Sequence, residues 1–214
     1  MKAAALVLLV ATAAFAADRG LPARSSPDHY TGKVNSDGTV LAAEVIPPDQ
    51  VRNEFSTTLA PRYQVIEVAL YPENGADINV EALDFGLRVD GRLIRPASPR
   101  TIAARNQKRS KSRTKDVLLY PSVGVSTGTW GTGTNVGVGV GMGDGAPGPG
   151  STDQDRRVME TELDDRGLQE GITQKAIAGY LYFPVGETKA TTAELVYQQD
   201  AVEVKIPLNL PKDK

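Results

Sequence analysis

The chain has 214 residues, a formal net charge of −2, one histidine and no cysteine. A charge this close to zero provides no general attraction for nucleic acid or anionic lipid. The lack of cysteine excludes disulfides, a thioether-linked lipid anchor and cysteine-ligated zinc, and a chain of this length can bury a sufficient core without cross-links.

Residues 1–16 have the pattern of a cleavable secretory signal. Lys2 gives a short positive region, residues 3–15 are apolar, and Ala14 and Ala16 are the small residues that a signal peptidase reads, so we expect cleavage after Ala16. A permanent anchor is the weaker alternative, because a spanning helix needs about 20 apolar residues. The sequence therefore predicts a periplasmic or extracellular protein with no transmembrane segment in its mature chain.

Residues 17–60 are predicted to be a mobile N-terminal arm. Residues 17–38 are polar and rich in turn-forming residues without any period. Within the arm, residues 39–46 are a candidate first strand that Pro47 ends, and residues 50–57 are a candidate helical turn.

Residues 61–210 are predicted to form an all-β domain, because apolar and polar residues alternate along several short segments. The apolar members of these segments are Ile66, Val68 and Leu70; Leu83, Phe85, Leu87 and Val89; Ile177, Leu181 and Phe183, with a gap at Gly179; and Val202, Val204, Ile206 and Leu208. Asp90–Gly91 predicts a tight hairpin. Pro96 ends the second strand of this hairpin, residues 92–95, and indicates that this strand lies at a sheet edge. About six to eight strands at this spacing predict an antiparallel immunoglobulin-like β-sandwich.

An insertion at residues 97–167 is predicted to contain a basic loop, a glycine-rich segment and one short helix. In the glycine-rich segment, 11 of the 27 residues from Gly124 to Gly150 are glycine. For the helix, Thr152 and Asp155 have the spacing of a reciprocal N-terminal cap, and Gly167 stands where the helix should stop.

Several short motifs occur in an order that resembles a group of secreted bacterial immunoglobulin-like domains, typified by a mycobacterial immunoprotective extracellular protein. These motifs are Val65–Leu70, Phe85–Leu87, Asp90–Gly91, Leu168–Gly171 and Gly179–Pro184. The resemblance covers about 63–96 and 168–208, and the insertion departs from it. It implies a non-enzymatic sandwich and transfers no catalytic residues.

Few residues are available for catalysis or metal binding. His29 is the single histidine and falls in the predicted arm, and no Gly-x-Ser-x-Gly motif accompanies a serine. The aspartates Asp153, Asp155, Asp164 and Asp165 could be imagined as a calcium or hydrolase site, but their spacing matches no EF-hand, and a solvated helix face is favoured. We therefore expect no enzyme, no cofactor and no metal site.

The glycine-rich segment does not have the pattern of a nucleotide-binding loop, because no lysine occurs between Asp116 and Thr152. A mobile or partly hairpin loop is favoured, followed by a self-associating or surface-binding ribbon and then by a membrane-inserting segment. Trp130, the single tryptophan, lies near its middle and is a candidate anchor for a partner.

A basic cluster precedes the glycine-rich segment and contains no acidic residue. It consists of Arg100, Arg105, Lys108, Arg109, Lys111, Arg113 and Lys115. It could hold an anionic polymer such as lipopolysaccharide, teichoic acid or nucleic acid; the alternative is a solvated loop that leans toward the acidic stretch 153–170. Base stacking is not indicated, because no aromatic residue interleaves the cations. The candidate partner-binding residues are Arg105, Lys108, Arg109, Lys111, Arg113 and Trp130.

These observations predict an exported, non-enzymatic binding or structural module with an unknown partner in the cell envelope or outside the cell. The main alternative is an envelope assembly factor, or a self-associating component, that acts through its glycine-rich segment. A hydrolase with an unusual carboxylate site is a third hypothesis.

Overall fold

The computed structural model describes residues 19–112, 120–128, 131–139, 152–186, 188–199 and 202–211. The strands are β1 (Gly32–Ser36), β2 (Thr39–Val45), β3 (Gln64–Pro72), β4 (Ile78–Val80), β5 (Phe85–Val89), β6 (Arg92–Ile94), β7 (Tyr120–Gly128), β8 (Gly131–Gly139), β9 (Gly171–Thr173), β10 (Ile177–Phe183), β11 (Thr192–Gln199) and β12 (Val202–Asn209). The helices are α1 (Pro48–Glu54), α2 (Pro99–Ser112) and α3 (Asp153–Arg166).

The protein is mostly β, and all of its named sheets are antiparallel. Sheet 1 has the strand order β1-β2-β3-β10, and sheet 2 has the order β12-β11-β5-β6. Two smaller sheets pair β4 with β9 and β7 with β8. The predicted all-β class is confirmed at this level.

The main core lies between the two four-stranded sheets. Sheet 1 contributes Ile66, Val68, Leu70, Leu181 and Phe183, and sheet 2 contributes Phe85, Leu87, Leu195, Ile206 and Leu208. These are the faces that the alternating patterns predicted. Leu83 is an exception, since it lies in a 3-10 turn over Ala82–Asp84 and is 67% exposed.

Sheet 1 is also covered on its other face, by helices. Val65 and Tyr182 on this face form a second cluster with Phe55 after α1, Ile102 of α2 and Leu163 of α3. Because both faces of β3 are buried, its sequence is a nearly continuous apolar run, which is the pattern of a strand enclosed between two layers.

The N-terminal region differs from the predicted mobile arm. β1 and β2 form a hairpin through Asp37–Gly38, both of which have positive φ. Before β1, Leu21 forms a bridge with Ala178 at the edge of sheet 1. β1 was missed because Val34 is its only large apolar residue, so the strand carries no alternating signal.

The predicted basic loop is also wrong in its first part, since α2 occupies residues 99–112. Ser98 stabilises the start of this helix by accepting a hydrogen bond from the N–H of Thr101 at 3.3 Å. Ile102 and Ala103 supply its buried side. The sequence did not predict α2 because too few of its residues are apolar to give a helical hydrophobic pattern.

α3 begins with the predicted reciprocal cap. The Asp155 N–H donates to Thr152 Oγ1 at 3.0 Å, and the Thr152 N–H donates to Asp155 Oδ2 at 3.0 Å. Leu163 is fully buried, whereas Val158 is 58% exposed. The helix therefore depends on docking through few apolar contacts.

Candidate binding surface

The candidate surface is the exposed face of α2, which is held against the body by polar contacts as well as by Ile102. The amide of Gln107 donates to Asp153 Oδ1 of α3 at 2.9 Å, and the amide of Asn106 donates to the Thr58 carbonyl at 3.0 Å. Two independent neighbours thus fix the rotation of α2 about its axis.

With this rotation, Arg105, Lys108 and Arg109 are exposed to solvent. Spacings of three and four residues place them on one side of the helix, so three positive charges lie within about one turn. Among the described residues, no ion pair joins any of the three to an acidic side chain. Of the three, Arg109 lies in the last turn of α2, where the helix dipole favours a positive charge.

Of the remaining predicted partner-binding residues, the structure describes the position of one. Lys111 belongs to α2, two residues after Arg109. Arg113 and Trp130 lie outside the described residues. α3, which carries part of the acidic stretch, packs beside α2: Ile102 and Leu163 belong to one apolar cluster, and the Gln107 amide donates to Asp153 Oδ1.

A cleft of about 1000 Å³ lies beside the start of α2 and was not predicted. Its apolar lining includes Leu83, Pro96 and Leu181, and charges of both signs stand around it, including Arg100 and Glu160. Such a cleft has no net preference for an anion or a cation. Its walls come from distant parts of the chain, so no local sequence pattern predicts it. Within the structure, the exposed apolar side chain of Leu83 is its most unusual feature.

A partly buried ionic cluster tethers the N-terminal segment to sheet 1. Arg24 Nη2 lies 2.6 Å from Glu67 Oε2, Arg24 Nη1 lies 2.5 Å from Glu44 Oε2, and the Tyr30 hydroxyl donates to Glu67 Oε1 at 2.9 Å. The Tyr71 hydroxyl donates to the Arg24 carbonyl at 2.8 Å. Each of these groups has a partner, which is typical of a structural cluster.

The cluster changes the titration of its members. Burial acts to lower the pKa of Arg24, but hydrogen bonds and charges from Glu67 and Glu44 outweigh it and raise that pKa. Burial, followed by the hydrogen bond to Glu67, raises the pKa of Tyr30 well above its ordinary value. Both groups therefore keep their ordinary protonation state near neutral pH.

The suggested carboxylate site is not assembled. Asp153 and Asp164 stand near opposite ends of α3, and their separation of eleven positions along the helix places them about 16 Å apart. Asp155 is engaged in the helix cap, and Asp164 forms an ion pair with Arg19 at 3.1 Å. In the part of the chain that the structure describes, no group of three potential metal ligands occurs.

His29 ends a single 3-10 turn and is exposed. Its Nδ1 lies 3.4 Å from Ser25 Oγ, which is longer than an ordinary O–H···N hydrogen bond. Within the described residues, no helix is long and apolar enough to cross a membrane.

No family model matches the chain, and no curated protein or solved structure is detectably similar to it.

Proposed function

We propose that the protein is an exported, non-enzymatic binding module that holds a phosphate-bearing anionic polymer of the cell envelope on the exposed face of α2. The observation that carries the proposal is the exposure of Arg105, Lys108 and Arg109 on one side of a docked helix, without acidic partners among the described residues. Three like charges repel one another, and a bound polyanion relieves that repulsion.

Within this proposal the fold is an immunoglobulin-like sandwich. Its support is the strand order: β2-β3-β10 corresponds to strands A-B-E, and β12-β11-β5-β6 corresponds to G-F-C-C′. β1 is then an extra strand at the A edge. Helices α2 and α3 and the β7–β8 hairpin are inserted between C′ and E.

Export is proposed from the signal pattern of residues 1–16, which lie outside the described part of the chain. The first contacts within the described residues are compatible with cleavage after Ala16: Arg19 forms an ion pair with Asp164 at 3.1 Å, and the Gly20 N–H donates to the Asp165 carbonyl at 2.8 Å. Cleavage at the predicted site thus removes none of the described contacts.

A non-enzymatic role is supported by the shortage of groups that move protons near neutral pH. His29 is the only histidine, and cysteine is absent from the sequence. The exposed cations of α2 offer positive charge for binding.

The binding proposal is tested with the variant Arg105→Glu/Lys108→Glu/Arg109→Glu. Its matched control is Arg92→Glu/Lys175→Glu/Lys189→Glu, which reverses three exposed charges elsewhere and has the same net charge. Affinity for purified lipopolysaccharide and teichoic acid is measured by calorimetry, with uncharged dextran as the negative probe.

We expect the α2 variant to lose at least about a hundredfold in affinity, since each basic contact contributes about 1 kcal/mol. The control should bind like the wild type, and binding of the wild type should weaken as salt shortens the screening length. Equal losses in both variants, or unchanged binding of the α2 variant, would show that this face is not the site.

A further inference from the structure

β7 and β8 form a long two-stranded ribbon. Its ladder runs from Tyr120↔Gly139 to Gly128↔Gly131. Among the described residues no third strand pairs with either side. A two-stranded hairpin is only marginally stable in water, whereas three or more strands form a stable sheet. A further strand would therefore stabilise this ribbon.

The register identifies which backbone groups point away from the ladder. In an antiparallel pair, every second residue pair directs its N–H and C=O groups outward. Pro121 has no N–H, so the Pro121↔Val138 pair belongs to the outward set. The outward residues are Pro121, Val123, Val125 and Thr127 on β7, and Thr132, Thr134, Val136 and Val138 on β8.

The two edges are therefore unequal. The β7 edge lacks one donor at Pro121, whereas the β8 edge presents the N–H groups of all four of its outward residues. Charges and prolines are the usual means of protecting an edge from another strand, and Gly131–Gly139 contains neither.

The edge of sheet 1, in contrast, is covered. The carbonyls of β10 at Ala178, Tyr180 and Tyr182 accept hydrogen bonds from N–H groups of other segments of the chain, at Leu21, Leu168 and Ala97 respectively. Other segments of the chain thus cover this edge of sheet 1, whereas no described segment pairs with the β8 edge.

We propose that β8 of one copy pairs antiparallel with β8 of a second copy, which gives a four-stranded sheet with the order β7-β8-β8-β7. A second copy fits because the edge is self-complementary: the four outward residues are spaced evenly on either side of Asn135. A twofold axis at Asn135 pairs Thr132 with Val138 and Thr134 with Val136, so every outward N–H gains an acceptor.

The first test is sedimentation velocity on the chain from residue 17 onward. Val136→Pro removes an outward N–H from β8, and Val123→Pro is the matched control at the directly opposite residue of β7. Neither change removes a hydrogen bond between β7 and β8, so both variants keep the ribbon. We expect a dimer for the wild type and for Val123→Pro, and at least a tenfold weaker dimer for Val136→Pro.

A monomeric wild type, or equal behaviour of the two proline variants, overturns the proposal. The outcome is independent of the binding site on α2, because no polymer is present in the assay.

The second test uses the absence of cysteine from the sequence, so that one introduced thiol is unique. In the proposed register, Asn135 of one copy lies directly opposite Asn135 of the other in a non-hydrogen-bonded pair. Their Cα atoms are then about 4.5 Å apart, a distance that a disulfide spans. Asn135→Cys should therefore form a disulfide-linked dimer under mild oxidation.

The control is Gly124→Cys, at the residue paired with Asn135 on β7. Its two copies would stand three strand spacings apart, about 14 Å, and should not cross-link. Cross-linking of both variants, or of neither, contradicts the register.

Discussion

Alkaline pH should unfold this protein through its buried tyrosines. Tyr30, Tyr180 and Tyr182 are 6%, 5% and 2% exposed. Burial raises the pKa of each, and the hydrogen bonds to Glu67 and Glu54 raise the pKa of Tyr30 and Tyr180 further. In the unfolded chain the same hydroxyls ionise near pH 10.

Because the pKa values of these tyrosines are raised in the folded state, the protein becomes less stable as the pH rises above about 10. Below about pH 10 the hydroxyls are protonated in both states, and the stability is complete. Above that pH the unfolded state releases protons that the folded state retains, so each buried tyrosine costs about 1.4 kcal/mol of stability per pH unit. Three tyrosines together cost about 4 kcal/mol per unit, which consumes an ordinary stability of about 5–15 kcal/mol within a few units.

The assay follows tyrosinate absorbance and circular dichroism together as the pH is raised. Tyrosinate from the buried residues should appear at the pH at which the β-signal is lost, and not near pH 10. Denaturant titrations at several pH values give the slope of the unfolding free energy.

Tyr182→Phe isolates one contribution, because lysine ionisation is the same in this variant and in the wild type. The variant loses the 3.0 Å hydrogen bond to the Leu163 carbonyl, which costs about 1 kcal/mol near neutral pH. Its stability should then fall less steeply above pH 10, by about 1.4 kcal/mol per unit. An unchanged slope, or full ionisation near pH 10 with the β-signal intact, would refute the reasoning.

Two further predictions concern packing. Gly179→Ala should destabilise by about 2–3 kcal/mol in denaturant titration, because its Cβ would lie 2.4 Å from the backbone of Leu168. Gly86→Ala is the control with a smaller effect, since its Cβ would meet only the end of the Leu93 side chain; equal losses would contradict the prediction. Glu162→Ala should cost about 2–3 kcal/mol, because its carboxylate accepts the N–H groups of Ser56 and Thr57 at 2.7 and 2.9 Å, and Thr57 is buried. Glu160→Ala should be nearly neutral in the same titration, and matching losses would argue against the role of Glu162.

Sequence patterns predicted the parts of the fold that local chemistry determines. Asp90 and Gly91 have the positive φ values that their tight turn requires. The alternating residues of β5 and β12 bury the expected faces in the main core, apart from Val202 at the start of β12, which is 38% exposed. The cap of α3 was also readable, because its two residues are three positions apart.

The missed elements depend on tertiary contacts. β1 is stabilised by pairing with β2, and α2 is stabilised by Ile102, which packs in the apolar cluster on the helix-covered face of sheet 1. Neither element has a strong hydrophobic pattern of its own. Gly179 illustrates the same limit. It was read as a gap, whereas the Leu168 backbone crosses at this point and Leu168 joins the main core.

The candidate surface was predicted in composition but not in conformation. The exposure of Arg105, Lys108 and Arg109 follows from their charge, whereas their arrangement on one helix side depends on the docking of α2. That docking uses Gln107 and Asp153, which come from segments separated by the glycine-rich residues. No local pattern connects the two segments.

The two proposed activities are separated within the insertion and can reinforce each other. α2 and α3 belong to the body, and the Gln107–Asp153 contact brings the two ends of the intervening segment together. Pairing through β8 would then place two basic faces in one particle without altering either helix. A polymer with repeated phosphates binds two linked faces more tightly than one, because the second contact is intramolecular. If both proposals hold, dimerisation would add to the charge contacts and retain the protein on a repetitive anionic surface that three cations alone would hold only loosely.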